Sequence, residues 1–229
     1  MNTNLQVAST AEKPREAATP GASLQDGCQL EARPPRKVAV RRETGETKIA
    51  VTLDLDGTGE LALASGVGFF DHMLAAFGRH ALFDLAVSCE GDTWVDDHHS
   101  VEDVGIVLGQ ALKEALGSKA GIVRFASATI PMDEALVLAA VDISGRGALY
   151  WDVPITAQKV GTFDVELAQE FFIALAREAG ITLHVRKIAG ENAHHILEGC
   201  FKAVARALRA AVAYDPRQPG VPSTKGMLA

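Results

Sequence analysis

The sequence predicts an internally duplicated α+β protein in which each half is a mainly β-sheet layer covered by helices on one face. Period-two apolar alternation gives way twice to period-3.6 runs, in the order paired strands, helix, strand, helix. The pattern His-His-x-x-Glu occurs at His98 to Glu102 and again at His194 to Glu198, each time after a strand-like run and at the start of a helical one. The 229 residues are 48% hydrophobic and 22% charged, which is ample for a buried core and excludes a disordered or fibrous chain.

The elements follow in order. Residues 1–36 are rich in Ala, Pro, Ser, Thr and Glu without periodicity and read as a flexible tail. The rest, 37–229, forms one domain with halves at about 37–121 and 122–215 and a C-terminal loop over 216–229. Strands are expected from Val38, over Thr47 to Leu55 and over Glu60 to Ala64, the last two joined by Asp56-Gly57-Thr58-Gly59 as a hairpin turn. Phe69, Phe70, Met73, Leu74 and Phe77 then repeat at helical spacing. A strand follows over Leu82 to Cys89, and Asp97 is placed to cap a helix carrying Val101, Val104, Leu108, Leu112 and Leu116. The second half repeats the theme with strands over Ile122 to Ile130, Ala135 to Ile143 and Leu149 to Val153. A helix over Val165 to Ala179, a strand over Thr182 to Ile188 and a helix over Ala193 to Ala213 complete it.

Composition excludes several function classes. The apolar runs fall well short of the ~20 residues of a membrane-spanning helix, and no N-terminal signal segment is visible, so a cytoplasmic protein without membrane contact is expected. Three cysteines without CxxC spacing fit neither a disulfide framework nor a thiolate zinc site. With 22 basic against 29 acidic side chains the formal charge is −7, which disfavours a nucleic-acid partner.

Chemistry concentrates in the histidine pairs, which hold four of only seven histidines. Residues four apart share a helix face, so His98 with Glu102, and His194 with Glu198, each grip one ion. The second histidine of each pair is rotated by about 100° and points elsewhere. Two ions are implied. In a pseudo-twofold arrangement His99 completes the site begun by His194 and Glu198, and His195 the site begun by His98 and Glu102. His72 and Glu170, at matching places upstream of the pairs, are the candidates for a further ligand each. Imidazole and carboxylate without thiolate suit Mn, Fe or Zn, with Mn favoured for octahedral geometry. His184, in an alternating strand, is expected to pack, and His80, eight residues after His72, to line the same cleft.

Two motifs compete. Asp54-Leu-Asp56-Gly-Thr58 with Gly91-Asp92-x-x-x-Asp96 resembles a haloacid-dehalogenase phosphatase, but only about 35 residues separate them, roughly one βαβ unit, and the histidine pairs are left unexplained. Gly66-x-Gly68 fails as a dinucleotide loop because Asp71 stands at the third glycine position. A non-catalytic metal-binding assembly protein is the other alternative.

Five segments carry a family resemblance. Gly68-Phe-Phe-Asp-His-Met-Leu74, Asp96-Asp-His-His-Ser-Val-Glu-Asp103, Asp142-Ile-Ser-Gly-Arg146, Ala189-Gly-Glu-Asn-Ala-His-His-Ile-Leu-Glu198 and Pro222-Ser-Thr-Lys-Gly226 resemble the imidazoleglycerol-phosphate dehydratases of histidine biosynthesis, in order and from about Val38 to Gly226. The resemblance implies a ribosomal protein S5 domain 2-like duplicated fold. It also implies two Mn(II) ions per active site and a trimer-based shell of 24 subunits with sites assembled between chains. One site would use His72, His99, His194 and Glu198; the other would use His98, Glu102, Glu170 and His195. Glu46 would be the base, Arg124 and Arg146 with Ser223, Thr224 and Lys225 the phosphate clamp, and His80 and Lys202 further substrate contacts.

The implied reaction removes water from a phosphorylated imidazole carrying two carbinol carbons, leaving a ketone. Cations on both ring nitrogens would stabilise an imidazolate able to expel the neighbouring hydroxyl, while a base takes the next carbon's proton. Two departures stand out: Ala76 where a polar residue, often Gln, is expected, and Glu170 where some members have His.

Overall fold

The computed structural model describes residues 34–228, so the proposed tail lies, up to residue 33, outside the described residues. Arg36, assigned to the end of that tail, is buried: its guanidinium pairs with Asp56 and donates to the Val212 carbonyl.

The first half runs β1 (Lys37–Glu43), β2 (Thr47–Asp54), β3 (Leu61–Ala64), α1 (Gly68–Ala81), β4 (Asp84–Gly91) and α2 (His98–Leu116). The second runs β5 (Phe125–Met132), β6 (Ala135–Asp142), β7 (Ala148–Asp152), the short hairpin β8 (Lys159–Val160) and β9 (Phe163–Asp164), then α3 (Glu166–Ala179), β10 (Thr182–Ala189) and α4 (Ala193–Val212). The sheets have orders β1-β2-β4-β3 and β5-β6-β10-β7, with the first three strands antiparallel and the fourth parallel to its neighbour in each. Identical topology bears out the duplication.

One local expectation fails. β2 and β3 do not form a hairpin around Asp56-Gly57-Thr58-Gly59, because β4 lies between them and pairs with both. Instead the Asp84 carboxylate accepts the backbone N–H groups of Thr58, Gly59 and Glu60 at 2.8–3.0 Å and turns the chain. Asp56 is taken up by Arg36 and Asp54 lies 3.7 Å from Lys37, so the phosphatase-like motif is a turn with structural partners. Likewise β5 begins at Phe125, since Arg124 has a φ of 76°, outside the extended range.

The alternating sequence explains the layers. β2 and β6 bury every second residue on the helix-covered side. α1 buries Phe70, Met73, Leu74, Phe77 and Ala81, spaced at three and four. Each half's long second helix lies on its own sheet, and across the halves α1 packs on α4 while α2 packs on α3. Phe70, Phe171, Phe172 and Phe201 form a contiguous aromatic cluster at this junction, with centroids 4.7–5.3 Å apart; burial of each side chain stabilises by roughly 1.5–3 kcal/mol. α2 approaches α3 closely because it presents glycines: a Cβ on Gly105 would meet the Phe171 carbonyl oxygen at 2.7 Å, and one on Gly109 the Glu178 Cβ at 2.7 Å. Among the described residues no helix is long and apolar enough to cross a membrane.

Candidate metal centre

Pairing α1 with α4 brings ligands of the two halves together. His72 on α1 and His194 and Glu198 on α4 place one ligand atom each within 4.8 Å of one another. His72 Nε2 is 3.3 Å and His194 Nε2 3.2 Å from Glu198 Oε2. Glu198 is 7% exposed, whereas His72 is exposed and His194 half-buried, so the buried carboxylate forms the floor and the imidazoles the rim. Its other oxygen, Oε1, lies 2.6 Å from Lys202 Nζ. Burial pushes the Glu198 carboxyl up, but Lys202, His72 and His194 outweigh it and hold the group below its usual range. Two imidazoles and a carboxylate, with no thiolate, form a donor set that fits a divalent transition metal.

The histidine pairs diverge as helix geometry requires. His98 and Glu102, one turn apart on α2, sit with Nε2 and Oε2 3.7 Å apart. His99 turns toward the end of β4 and the β1–β2 turn: its Nδ1 is 3.1 Å from both Asp92 carboxylate oxygens, and its Nε2 is 3.8 Å from Glu46 Oε1. His195 turns to the β5–β6 turn, with Nδ1 2.7 Å from Glu134 Oε2 and Nε2 3.7 Å from Asp133. The hydrogen bond to Asp92, reinforced by Glu46, raises His99, and the bond to Glu134 raises His195. In return His195 and the backbone N–H of Asn192 bring the Glu134 carboxyl down to about 2. Glu170 is half-buried on α3, one residue before the Phe171 carbonyl that abuts Gly105 of α2.

Within one chain, therefore, three of the eight sequence-named ligands form a group. His98, Glu102, Glu170 and His195 form no such group among the described residues, and His99 lies outside the triad.

The helix starts hold the pairs. Asn192 caps α4, its side-chain oxygen accepting from the backbone N–H of His194 and of His195. At α2, Asp97 stands at the capping position without a side-chain cap bond, and Asp96 accepts from the His98 N–H instead. The turn bearing Glu46 is pinned to α2 by the buried Asp103, which pairs with Arg42 and accepts from the Thr47 hydroxyl.

A cleft of about 890 Å³ gathers Arg124, Arg146, Ser223, Thr224 and Lys225 on its walls. Arg124 is already engaged, with Nε and Nη2 on Asp142 and Nη1 on the Pro222 carbonyl, so it anchors the C-terminal loop while two of its five N–H donors stay available. Arg146 and Lys225 are exposed. His80 and Lys202 do not line this cleft. Burial, then the Lys202 and Arg206 cations of α4, lower His80. His184 is exposed and stacks on Tyr150 at 4.4 Å.

Glu134 had no role in the sequence reading, Asp92 entered it only in the phosphatase-like motif and Asp103 only as the end of a family segment. The one signal for Glu134 was positional: it precedes β6 immediately, as Glu46 precedes β2.

Two matching sheet-and-helix halves that meet at an imidazole–carboxylate triad define a duplicated α+β protein with a candidate metal centre. A family model described as imidazoleglycerol-phosphate dehydratase matches residues 65–208. The chain is 60% identical over 194 residues to the imidazoleglycerol-phosphate dehydratase of Dinoroseobacter shibae, covering 84% of this chain and 100% of that one. It is 58% identical to that of Desulforamulus reducens, covering 84% and 98%. Among solved structures, imidazoleglycerol-phosphate dehydratase from Staphylococcus aureus N315 superposes with a TM-score of 0.72 at 39% identity, covering 78% of this chain and 99% of that one. IGPD from Pyrococcus furiosus in complex with (S)-C348 gives 0.72 at 40%, covering 82% and 100%. The chain belongs to the imidazoleglycerol-phosphate dehydratase family, hydro-lyases of histidine biosynthesis.

Proposed function

We propose that this chain dehydrates imidazole-glycerol phosphate to imidazole-acetol phosphate in the cytoplasm, at sites holding two Mn(II) ions and completed between subunits of a trimer-based 24-mer. The observation that carries this is the triad His72, His194 and Glu198, three of the four ligands proposed for one ion, gathered in one chain. His99 and His195, turned away from the triad toward other turns of the chain, suit ligands shared with neighbouring copies. The ion sets are His72, His99, His194 and Glu198, and His98, Glu102, Glu170 and His195. The domain is 37–229 together with the packed Arg36, with 216–229 closing over the substrate.

When bound, the ions withdraw charge from the substrate's imidazole and favour its deprotonated form. Glu46 accepts the proton from the carbon next to the one losing hydroxyl; its exposed carboxylate lies 3.8 Å from His99 Nε2, on a turn fixed by Asp103. The carbon–hydrogen and carbon–oxygen bonds break, water leaves, and the enol formed becomes the ketone. Arg146, Ser223, Thr224 and Lys225, with the remaining Arg124 donors, hold the phosphate by charge-assisted hydrogen bonds. His80 and Lys202 contact the substrate from the α1–α4 side.

Glu46→Gln tests the assignment. It is expected to retain its metal and lose dehydration by at least about 100-fold; unchanged turnover contradicts it.

A further inference from the structure

Asp92 and Glu134 do not belong to either ion set, yet each holds the second histidine of one pair by its Nδ1. Asp92 is 8% exposed at the end of β4, with both oxygens 3.1 Å from His99 Nδ1. Glu134 reaches His195 Nδ1 at 2.7 Å from the β5–β6 turn. A carboxylate only accepts, so each ring carries its proton on Nδ1; in the neutral ring Nε2, which lies 3.8 Å from Glu46 in His99 and 3.7 Å from Asp133 in His195, then holds the lone pair a metal needs.

The two carboxylates arise at different places in the duplicated halves. Glu46 and Glu134 occupy equivalent positions, each directly before the second strand of its half. Glu46 lies on the Nε2 side of His99, whereas Glu134 lies on the Nδ1 side of His195. The duplication has thus left one hairpin carboxylate free as a base and made its counterpart a histidine holder, with Asp92 doing that work in the first half.

We propose that Asp92 and Glu134 are positioning residues, each fixing the metal-binding tautomer of one histidine and so governing one of the two ions separately. This rests on His99 and His195 belonging to different ion sets, as proposed above.

The surroundings of the two carboxylates differ, and the difference makes a test. Glu134 Oε1 accepts the backbone N–H groups of Asn192 at 2.9 Å and Glu191 at 3.3 Å, and Oε2 faces His195. In Glu134→Gln the amide oxygen is claimed by those two backbone donors. Its NH2 then faces Nδ1, places the ring proton on Nε2 and blocks the ligating atom; an isosteric amide at an orienting carboxylate is known to fix the wrong tautomer in this way. Among the described residues no backbone N–H claims one oxygen of Asp92, so Asp92→Asn can turn its carbonyl to Nδ1 and keep the tautomer.

The test is Mn(II) stoichiometry and affinity by competition with a chelator, on the full-length protein, alongside the thermal midpoint of each metal-free variant. Asp92→Ala and Glu134→Gln are expected each to weaken one class of ion about 10–100-fold, leaving the other class and the metal-free midpoint at wild-type values. Asp92→Asn is expected to restore most of the affinity. Wild-type affinity for both ions in Glu134→Gln overturns the proposal, as does loss of both classes together with a lowered midpoint. His99→Ala and His195→Ala separate the two levels: if each loses one ion while Glu134→Gln loses none, the tautomer role fails alone. If both histidine variants keep both ions, the ligand assignment itself fails.

Discussion

Lys202 holds one oxygen of Glu198 at 2.6 Å, one helical turn away on α4, and the second oxygen is left facing two imidazoles from different halves of the chain. The ammonium sets the rotation of a buried carboxylate whose free oxygen is the acceptor at the centre of the triad.

Lys202→Met is expected to lower metal affinity roughly tenfold or more, the scale seen when a group orienting a ligand is lost. Lys202→Arg should recover part of it. Chelator competition measures both; equal affinity in Lys202→Met and wild type contradicts the orienting role.

Arg146 is exposed on the wall of the cleft, without the carboxylate partner that engages Arg124. Arg146→Gln removes a charge-assisted contact of about 1.5–3 kcal/mol, so KM should rise roughly 10- to 150-fold with kcat little changed. Steady-state kinetics decide it. A fall in kcat at unchanged KM contradicts a phosphate-holding role.

Asp84 gives a pH dependence away from the metal ligands. The backbone N–H groups of Glu60, Thr58 and Gly59 lower its pKa from the ordinary 3.8. A lowered carboxyl stabilises the fold above its unfolded value, and that contribution disappears as pH falls through the folded value. Asp84→Ala is therefore expected to melt below wild type at pH 7, with the gap narrowing as pH drops below about 4. A gap that widens on acidification contradicts the capping role.

On the proposed reading, in which His99 and His195 complete ion sites shared between subunits, assembly depends on the ions. Complete removal of metal by a chelator should lower the particle mass, measured by light scattering. An unchanged particle contradicts sites shared between subunits.

The sequence carried the periodic and repeated features well. α1 and α2 were legible because Phe70 to Phe77 and Val101 to Leu116 sit at helical spacing, and the repeated pentapeptides marked where two helices begin. Joining His72 to His194 and Glu198 across 126 residues rested on duplication and family likeness, and the α1–α4 packing brings them together. The failed hairpin shows the limit of local patterns: a turn sequence between two strands says nothing of β4, some 20 residues later, inserting between them. Asp92 and Glu134 were illegible for the same reason. Each is an ordinary loop carboxylate until the fold brings an imidazole to it, and Arg124 looked free until Asp142 and Pro222 took three of its donors.

Dehydration by this chain is expected to depend on its metal. Purified protein, stripped of metal and then given Mn(II), should convert imidazole-glycerol phosphate to imidazole-acetol phosphate only after the ion is restored, with no inorganic phosphate released in the same reaction. Turnover that persists without metal, or phosphate release in place of the ketone product, would contradict it.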